Sequence, residues 1–254
     1  MVLLKVLKIA QMISLIYKEI HSFLGSLIGY IVIAIFLTTI GLFLWIFPGD
    51  TNILDSGYSS LDSLFYISPW VFIFLIPAIT MRLFSEESRT GTIELLLTKP
   101  LTDFQIVFAK YLAGFLLVFF SVLPTLVYFY SVYQLGAPTG NIDVGGTLGS
   151  YFGLLFLGSV FVSIGLFSSA ISNNQIVSFI VGVFLCFFVY VGFESISSLK
   201  MFEKIDDLII NLGINAHYLS MSRGVIDTRD VIYFLGVIFL FLLLTKTVLS
   251  SRKW

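Results

Sequence analysis

Between Leu64 and Met81 the chain runs for eighteen residues without one Asp, Glu, Lys or Arg. As a helix such a stretch is about 27 Å long, nearly the thickness of a bilayer's hydrocarbon core. Several other windows are equally long and free of charge, and the chain as a whole is 58% hydrophobic and 11% charged. In hydrocarbon every backbone N–H and C=O must be satisfied within the protein, so spanning helices are the expected solution. The runs are apolar on all sides, without the alternation over ten-residue segments that a β-barrel requires. The fold class that follows is an all-α polytopic membrane protein.

Hydropathy predicts six transmembrane helices, at roughly 24–46, 64–84, 106–130, 148–170, 176–195 and 231–249. Pro69, Pro77 and Pro124 fall inside them, as kinks that neighbouring helices re-satisfy. The placement of Lys and Arg sets the expected orientation. Lys5, Lys8 and Lys18, then Arg82, Arg89, Lys99 and Lys110, then Lys246, Arg252 and Lys253 all fall on one side of this layout. The loop 47–63 holds Asp50, Asp55 and Asp62 with no basic residue, and 131–147 holds only Asp143. Both termini and the polar elbow 85–101 are therefore expected in the cytoplasm.

Two flanking segments carry patterns of their own. In residues 1–22, Lys5, Lys8, Gln11, Ser14 and Lys18 recur at helical spacing among apolar residues. This reads as a basic amphipathic helix on the inner membrane surface, or as a simple positive-inside flank. Lys5 and Lys8 interrupt the apolar run and no small-residue cleavage site follows, so it is not read as a cleaved signal. The segment 196–230 mixes Lys200, Glu203, Lys204, Asp206, Asp207, Arg223, Asp227, Arg229 and Asp230 with apolar residues. Leu199, Phe202, Leu208 and Ile209 share a face before Gly213, read as a helix C-terminal glycine. Asn215 is expected to cap a second short helix ending at Gly224, and Asp227 or Thr228 to cap the last span. The expectation is two short amphipathic helices at the outer interface.

The missing chemistry narrows the function. There is no GxxxxGK[ST] phosphate loop, no HExxH and no GxSxG. His21 and His217 fall on opposite sides of the predicted topology, the single Cys186 provides no disulfide framework, and no basic cluster suggests nucleic acid. Ion-coupled carriers and proton pumps place ionisable groups at bilayer depth. Here Glu194, at the outer end of the fifth span, is the nearest approach to that. Glu86, Glu87 and Glu94 in the elbow have no neighbouring His or Cys, so an enzyme is not indicated and no cofactor or metal is expected on this chain.

The elbow itself, "RLFSEESRTGTIELLLTKPLTDFQIVFAK", holds Arg82, Glu86, Glu87, Arg89, Glu94, Lys99, Asp103 and Lys110. "SEESRTGT" reads as a polar turn, with Gly91 permitting a conformation other residues resist. "TIELLLTK" reads as a short helix with Ile93, Leu96 and Leu97 on one face and Glu94 away from it. Pro100 stops it, and Thr102 with Gln105 forms a capping-box pattern that starts the third span. Composition alone also fits a solvated loop; the proline stop and capped restart favour a short, rigid helix.

"MRLFSEESRTGTIELLLTKPLTDFQIVFAKY" is similar to the signature of type-2 ABC transporter permeases, with Glu86, Glu87, Gly91, Thr92, Glu94, Leu95, Leu96, Pro100 and Lys110 at the matching positions. "YFGLLFLGSVFVSIGLFSSAISNNQIVSF" resembles that family's fourth and fifth spans, and "SMSRGVIDTRDVIYF" the approach to its last span. Within the family, the length, the six-span layout and residues 220–254 most resemble the permease subunit associated with gliding motility in Bacteroidetes. Permeases for drugs, copper-linked systems or polysaccharides share the elbow.

The resemblance implies a permease in the bacterial inner (plasma) membrane, working with a separate cytosolic ATPase that binds ATP and Mg²⁺. It also implies a second permease unit, identical or related, and a coupling helix between spans 2 and 3 seated in a groove of the ATPase. Glu86, Glu87, Arg89, Gly91, Thr92, Glu94, Leu96, Pro100 and Lys110 are then the coupling residues, with Lys99 completing a charged rim. Arg223, Gly224, Asp227 and Asp230 are candidates for an outer gate. Gly158, Ser159, Ser163, Gly165 and Ser169 in the fourth span offer close packing, either within the chain or between two units. The alternative function is a non-transporting membrane scaffold for motility or secretion machinery.

Overall fold

The computed structural model describes residues 2–198, 206–224 and 226–251. The expectations for Leu199, Lys200, Phe202, Glu203, Lys204, Arg252 and Lys253, and for the side chains of Lys5, Leu97, Asp207 and Leu208, lie outside them. Helix α1 (Val2–Leu24) precedes the first span, α2 (Leu27–Trp45), from which it is separated at Gly25 and Ser26. The Ser26 hydroxyl accepts from the Gly29 N–H at 3.3 Å, capping α2 and fixing its start. A single-turn helix, α3 (Ile53–Ser56), lies in the following loop.

The second span is α4 (Asp62–Thr80), continued after a joint at Met81 by α5 (Arg82–Thr90). Helix α6 (Thr92–Leu97) follows, then the third span, α7 (Asp103–Val122) with α8 (Leu126–Leu135). Pro124 lies in the 3₁₀ turn Leu123–Thr125 that joins these two, where its missing N–H interrupts the α-helical ladder. The fourth span is α9 (Val144–Ile171) and the fifth α10 (Gln175–Phe187), which passes through a π-helical turn, Phe188–Gly192, into α11 (Phe193–Ser198). Helices α12 (Asp206–Leu212) and α13 (Ile214–Met221) precede the last span, α14 (Thr228–Ser251). Six helical segments are long and apolar enough to cross a membrane, and no strand occurs among the described residues. The protein is an all-α polytopic membrane protein.

Helix α9 is the hub, with 78% of its most apolar window buried against 22% for α10 and for α14. It packs on α4, α5, α7, α10, α13 and α14. Small residues make this possible. A Cβ on Gly165 would lie 2.0 Å from Thr80 Oγ1, so α9 and α4 approach closely only because Gly165 has none. Gly158 meets Val118, Phe72 and Ile76 of the same chain. The small residues of the fourth span therefore serve packing within the chain. Outward faces of α2, α10 and α14 carry Ile31, Ile35, Ile180, Phe184, Ile232 and Phe239, all exposed and apolar.

Contacts at the two ends fix the topology. Ser250 near the end of α14 donates to Asp103 at 3.2 Å, and Lys110 reaches Glu19 of α1. Both α1 and the end of α14 thus share one end of the bundle with α5 and α6. At the other end Tyr218 of α13 donates to the Phe65 carbonyl of α4 at 2.6 Å, and Ser150 of α9 donates to the Ser222 carbonyl at 2.8 Å.

Of the expected caps, one holds in position but not in conformation and one is corrected. Gly213 does follow the end of α12, its N–H donating to the Ile210 carbonyl at 3.0 Å, but with φ −78° instead of a left-handed conformation, and it also leads into α13. Asn215 lies inside α13, where its amide donates to Glu194 at 2.8 Å. Asp227 does begin α14, its Oδ1 accepting from the Arg229 N–H at 2.8 Å.

Candidate functional site

The polar elbow is built on a helix, not on the turn expected for "SEESRTGT". Helix α5 continues the second span through Thr90, and the turn comes only at Gly91, whose φ of +72° favours glycine. At the Met81 joint the first N–H groups of α5 need partners from elsewhere. Ser169 of α9 supplies them: its hydroxyl accepts from the N–H of Phe84 at 2.9 Å and of Ser85 at 3.1 Å. The same hydroxyl donates to the Met81 carbonyl at 2.9 Å, which the Ser85 hydroxyl also reaches. One serine of the fourth span thus stitches the bend of the second.

Beyond Gly91, α6 is held by an anchor. Leu96 is buried and Ile93 half-buried, a contribution of about 1.5–3 kcal/mol for one fully buried leucine. Glu94 and Leu95 point outward, Leu95 being 68% exposed, and Arg89, Thr92, Lys99 and Pro100 are exposed around them. Helix α7 starts with the capping box read from the sequence: Thr102 Oγ1 accepts from the Gln105 N–H and Gln105 Oε1 from the Thr102 N–H. A short projecting helix is thus fixed at both ends.

The charged rim, however, is smaller than expected. Glu86 pairs along its own helix with Arg82 at 3.1 Å. Glu87 and Lys110 turn inward and meet each other, Nζ to Oε2, at 3.0 Å. Lys110 is fully buried in α7 and also donates to Glu19 Oε1 at 2.7 Å and to the Leu83 carbonyl at 2.6 Å, with Nζ 5.1 Å from the centre of the Phe84 ring. Lys18 of α1 closes the cluster, bonding Glu87 Oε1 at 2.7 Å and lying 3.5 Å from Glu19 Oε1.

The cluster holds two ammonium groups against two carboxylates, and so carries no net charge. That balance is what allows a lysine to be buried at all, since an unpaired buried charge costs several kcal/mol. Burial alone would lower the pKa of Lys18, but its hydrogen bond to Glu87 and the charges of Glu19 and Glu87 outweigh this and hold it above the ordinary lysine value. Glu87 and Lys110 were expected on a docking surface. They bind the elbow to α1 and α7 instead, because two long side chains of opposite charge sit within reach across the α5–α7 gap. Glu19 was missed: it is the one acidic residue in the helix that Lys5, Lys8 and Lys18 mark as basic.

The outer-gate candidates divide in the same way. Arg223 is exposed, and Gly224, with φ +83°, lets its backbone pack on Gly146 and Gly149 at the start of α9. Asp227 is the α14 cap. Asp230 is buried, its Oδ1 2.7 Å from His217 Nδ1, while His217 stacks on Tyr233 with ring centres 3.9 Å apart. His217 Nε2 lies 2.9 Å from the Asn211 carbonyl, so these groups knit α13 and α14 to the end of α12.

Six spanning helices, with a short exposed helix on a stitched joint between the second and third, define a multi-pass membrane component. A family model described as ABC-2 family transporter protein matches residues 13–252, and the chain belongs to that family. It is a membrane-spanning permease of the ABC-2 class. Among curated proteins, comparison finds no match to the chain.

Proposed function

We propose that this chain couples ATP hydrolysis on a separate cytosolic ATPase to movement of its own helices, with α6 as the coupling helix. The observation that carries this reading is the outward face of α6, an exposed Leu95 beside Glu94 with Arg89 and Lys99 around them, on a segment fixed at both ends. An exposed leucine within a charged rim fits a protein partner's groove. The elbow end, carrying both α1 and the end of α14, then faces the cytoplasm of a bacterial inner membrane, where the Lys and Arg bias also places it.

Helix α1 has Leu15 and Phe23 buried against the bundle while Ile9, Ile13 and Tyr17 form an exposed apolar stripe on another face. That stripe fits a helix lying in the membrane interface. A stroke on α6 would pass to α5, and from there to α9 through Ser169 and to α1 and α7 through Glu87. Two such permeases, identical or related, would form the pathway, with lipid or the second unit covering the apolar faces of α2, α10 and α14. The length, the six-span layout and the likeness over residues 220–254 support a physiological role in gliding motility or its secretion machinery.

Co-purification from native membranes in mild detergent tests the reading. A stoichiometric ATPase is expected, and its stimulation by the permease should be lost with Glu94→Arg. Recovery of the permease alone under several mild detergents, or stimulation unchanged by Glu94→Arg, would favour the non-transporting scaffold.

A further inference from the structure

At the end of the bundle opposite the elbow, a cavity of about 560 Å³ opens between α4, the π-helical turn of the fifth span and α13. Small-molecule sites run to about 300–1,000 Å³, so the space is large enough for a ligand. One wall is aromatic: Tyr66 and Trp70 lie one turn apart on α4, and Tyr190 packs edge-on to Trp70 with centroids 5.8 Å apart. Asp62, Glu194 and Arg223 also line it. Among the described residues neither the Asp62 carboxylate nor the Arg223 guanidinium has a partner, while Glu194 accepts from Asn215.

Tyr190 is an uncharged polar group that the cavity leaves available to a ligand. It is only 6% exposed, clamped edge-on by Trp70 and Phe161, and its hydroxyl has no hydrogen-bond partner among the described residues. Tyr218, equally buried on the same cavity, donates to the Phe65 carbonyl. The Tyr190 ring is buried but its hydroxyl, unlike that of Tyr218, is left open to the cavity, where a ligand can reach it. It sits in the π-helical turn Phe188–Gly192, and such single-turn bulges recur at functional sites.

The chemistry of the lining selects the ligand. Aromatic faces attract cations and disfavour anions. Two carboxylates against one guanidinium leave the lining net negative, so an anion would meet Asp62 and Glu194. A wholly apolar ligand would desolvate both carboxylates and leave the Tyr190 hydroxyl unpaired. We propose that this cavity binds an amphiphile through a protonated amine. The ammonium group sits among Trp70, Glu194 and the Tyr190 hydroxyl oxygen, and the apolar body lies along Phe65 and Leu219. The site is separate from the coupling elbow and holds whether the chain transports or anchors.

The test uses the full chain in phosphatidylcholine nanodiscs, titrated with radiolabelled dodecylamine near neutral pH, with empty discs subtracted and dodecyl sulfate as the anionic control. Saturable binding is expected at one cation per chain, about tenfold weaker in Glu194→Gln and a few fold weaker in Tyr190→Phe, which removes only the hydroxyl. Asp62→Asn, at an exposed position, replaces Glu194→Gln should the lost Asn215 contact prevent folding. Repeating the titration with phosphatidylethanolamine in the discs separates the sources. Competition makes a lipid headgroup the resident, and its absence assigns the cavity to a free amine; both outcomes keep the ammonium site. Binding no greater than to empty discs, equal binding of dodecyl sulfate, or folded variants that bind like the wild type would overturn the proposal.

Discussion

Lys110 Nζ lies 2.7 Å from Glu19 Oε1, an ion pair between residues 91 positions apart, with Glu87 on the other side of the same ammonium at 3.0 Å. Three helices therefore meet on one buried charge. Glu87 and Glu19 are themselves only 11% and 10% exposed, so neither partner is compensated by solvent. Lys110→Met should lower stability by about 3–5 kcal/mol, because it leaves two nearly buried carboxylates sharing the half-exposed Lys18. Glu87→Gln should cost less, since Lys110 retains Glu19 and the Leu83 carbonyl. Thermal unfolding in one detergent ranks the two variants; equal, small shifts would show that the cluster is not structural.

Ser169→Ala removes the hydroxyl that serves Met81, Phe84 and Ser85 together. Two amides at the start of α5 are then left unpaired, at a cost of about 1–3 kcal/mol each if they stay buried. Hydrogen exchange reads this directly: the Phe84 and Ser85 amides should exchange faster, while those in the middle of α9 keep their protection.

Gly165→Ala places a methyl 2.0 Å from Thr80 Oγ1 and 3.0 Å from its Cβ. Relieving that overlap requires α4 and α9 to move apart, and overpacking of this kind costs about 1–3 kcal/mol. Thr80→Ala in the same chain removes the nearer atom. The double variant should therefore recover part of the lost melting temperature, although Thr80→Ala alone forfeits the hydroxyl's bond to the Ile76 carbonyl.

Leu95→Asp changes a side chain that projects from α6 without supporting it, so the fold should change by no more than about 0.5 kcal/mol. Yield of co-purified ATPase should fall sharply with the melting curve unchanged. A matching fall in melting temperature would instead make Leu95 part of the fold.

Lys18 sets a pH limit on the cluster. Its pKa in the folded chain is raised, so its contribution is complete below the unfolded value of about 10.4 and fades as pH rises through the higher folded value. Melting temperature should drop on passing from about pH 10 into that window. Lys18→Met should show a shallower drop over the same range.

The elbow shows how far one-dimensional reading reaches. Pro100, Thr102 and Gln105 act within four or five residues of themselves, so the stop before α7 and its capping box were legible from spacing. Gly91 was legible as a turn for the same reason, though α5 proved helical up to it. The direction of Glu87 was not legible, because it depends on Lys110 and Lys18, which reach it from other helices. Asn215 was misread as a cap since its true partner, Glu194, lies 21 residues away. Tyr190 carried no signal at all: a tyrosine in an apolar run looks like any other until its neighbours are in place.

Charge-free runs by themselves determined that this chain is a bundle of six spanning helices, because hydrocarbon leaves an isolated backbone no other way to satisfy its hydrogen bonds. Local sequence also set where the short helix between the second and third spans begins and ends. Tertiary structure decided which charges face outward and which hold the elbow to α1, α7 and α9. A buried ammonium is tolerated only where carboxylates from separate helices converge on it, and convergence is a property of packing rather than of order along the chain.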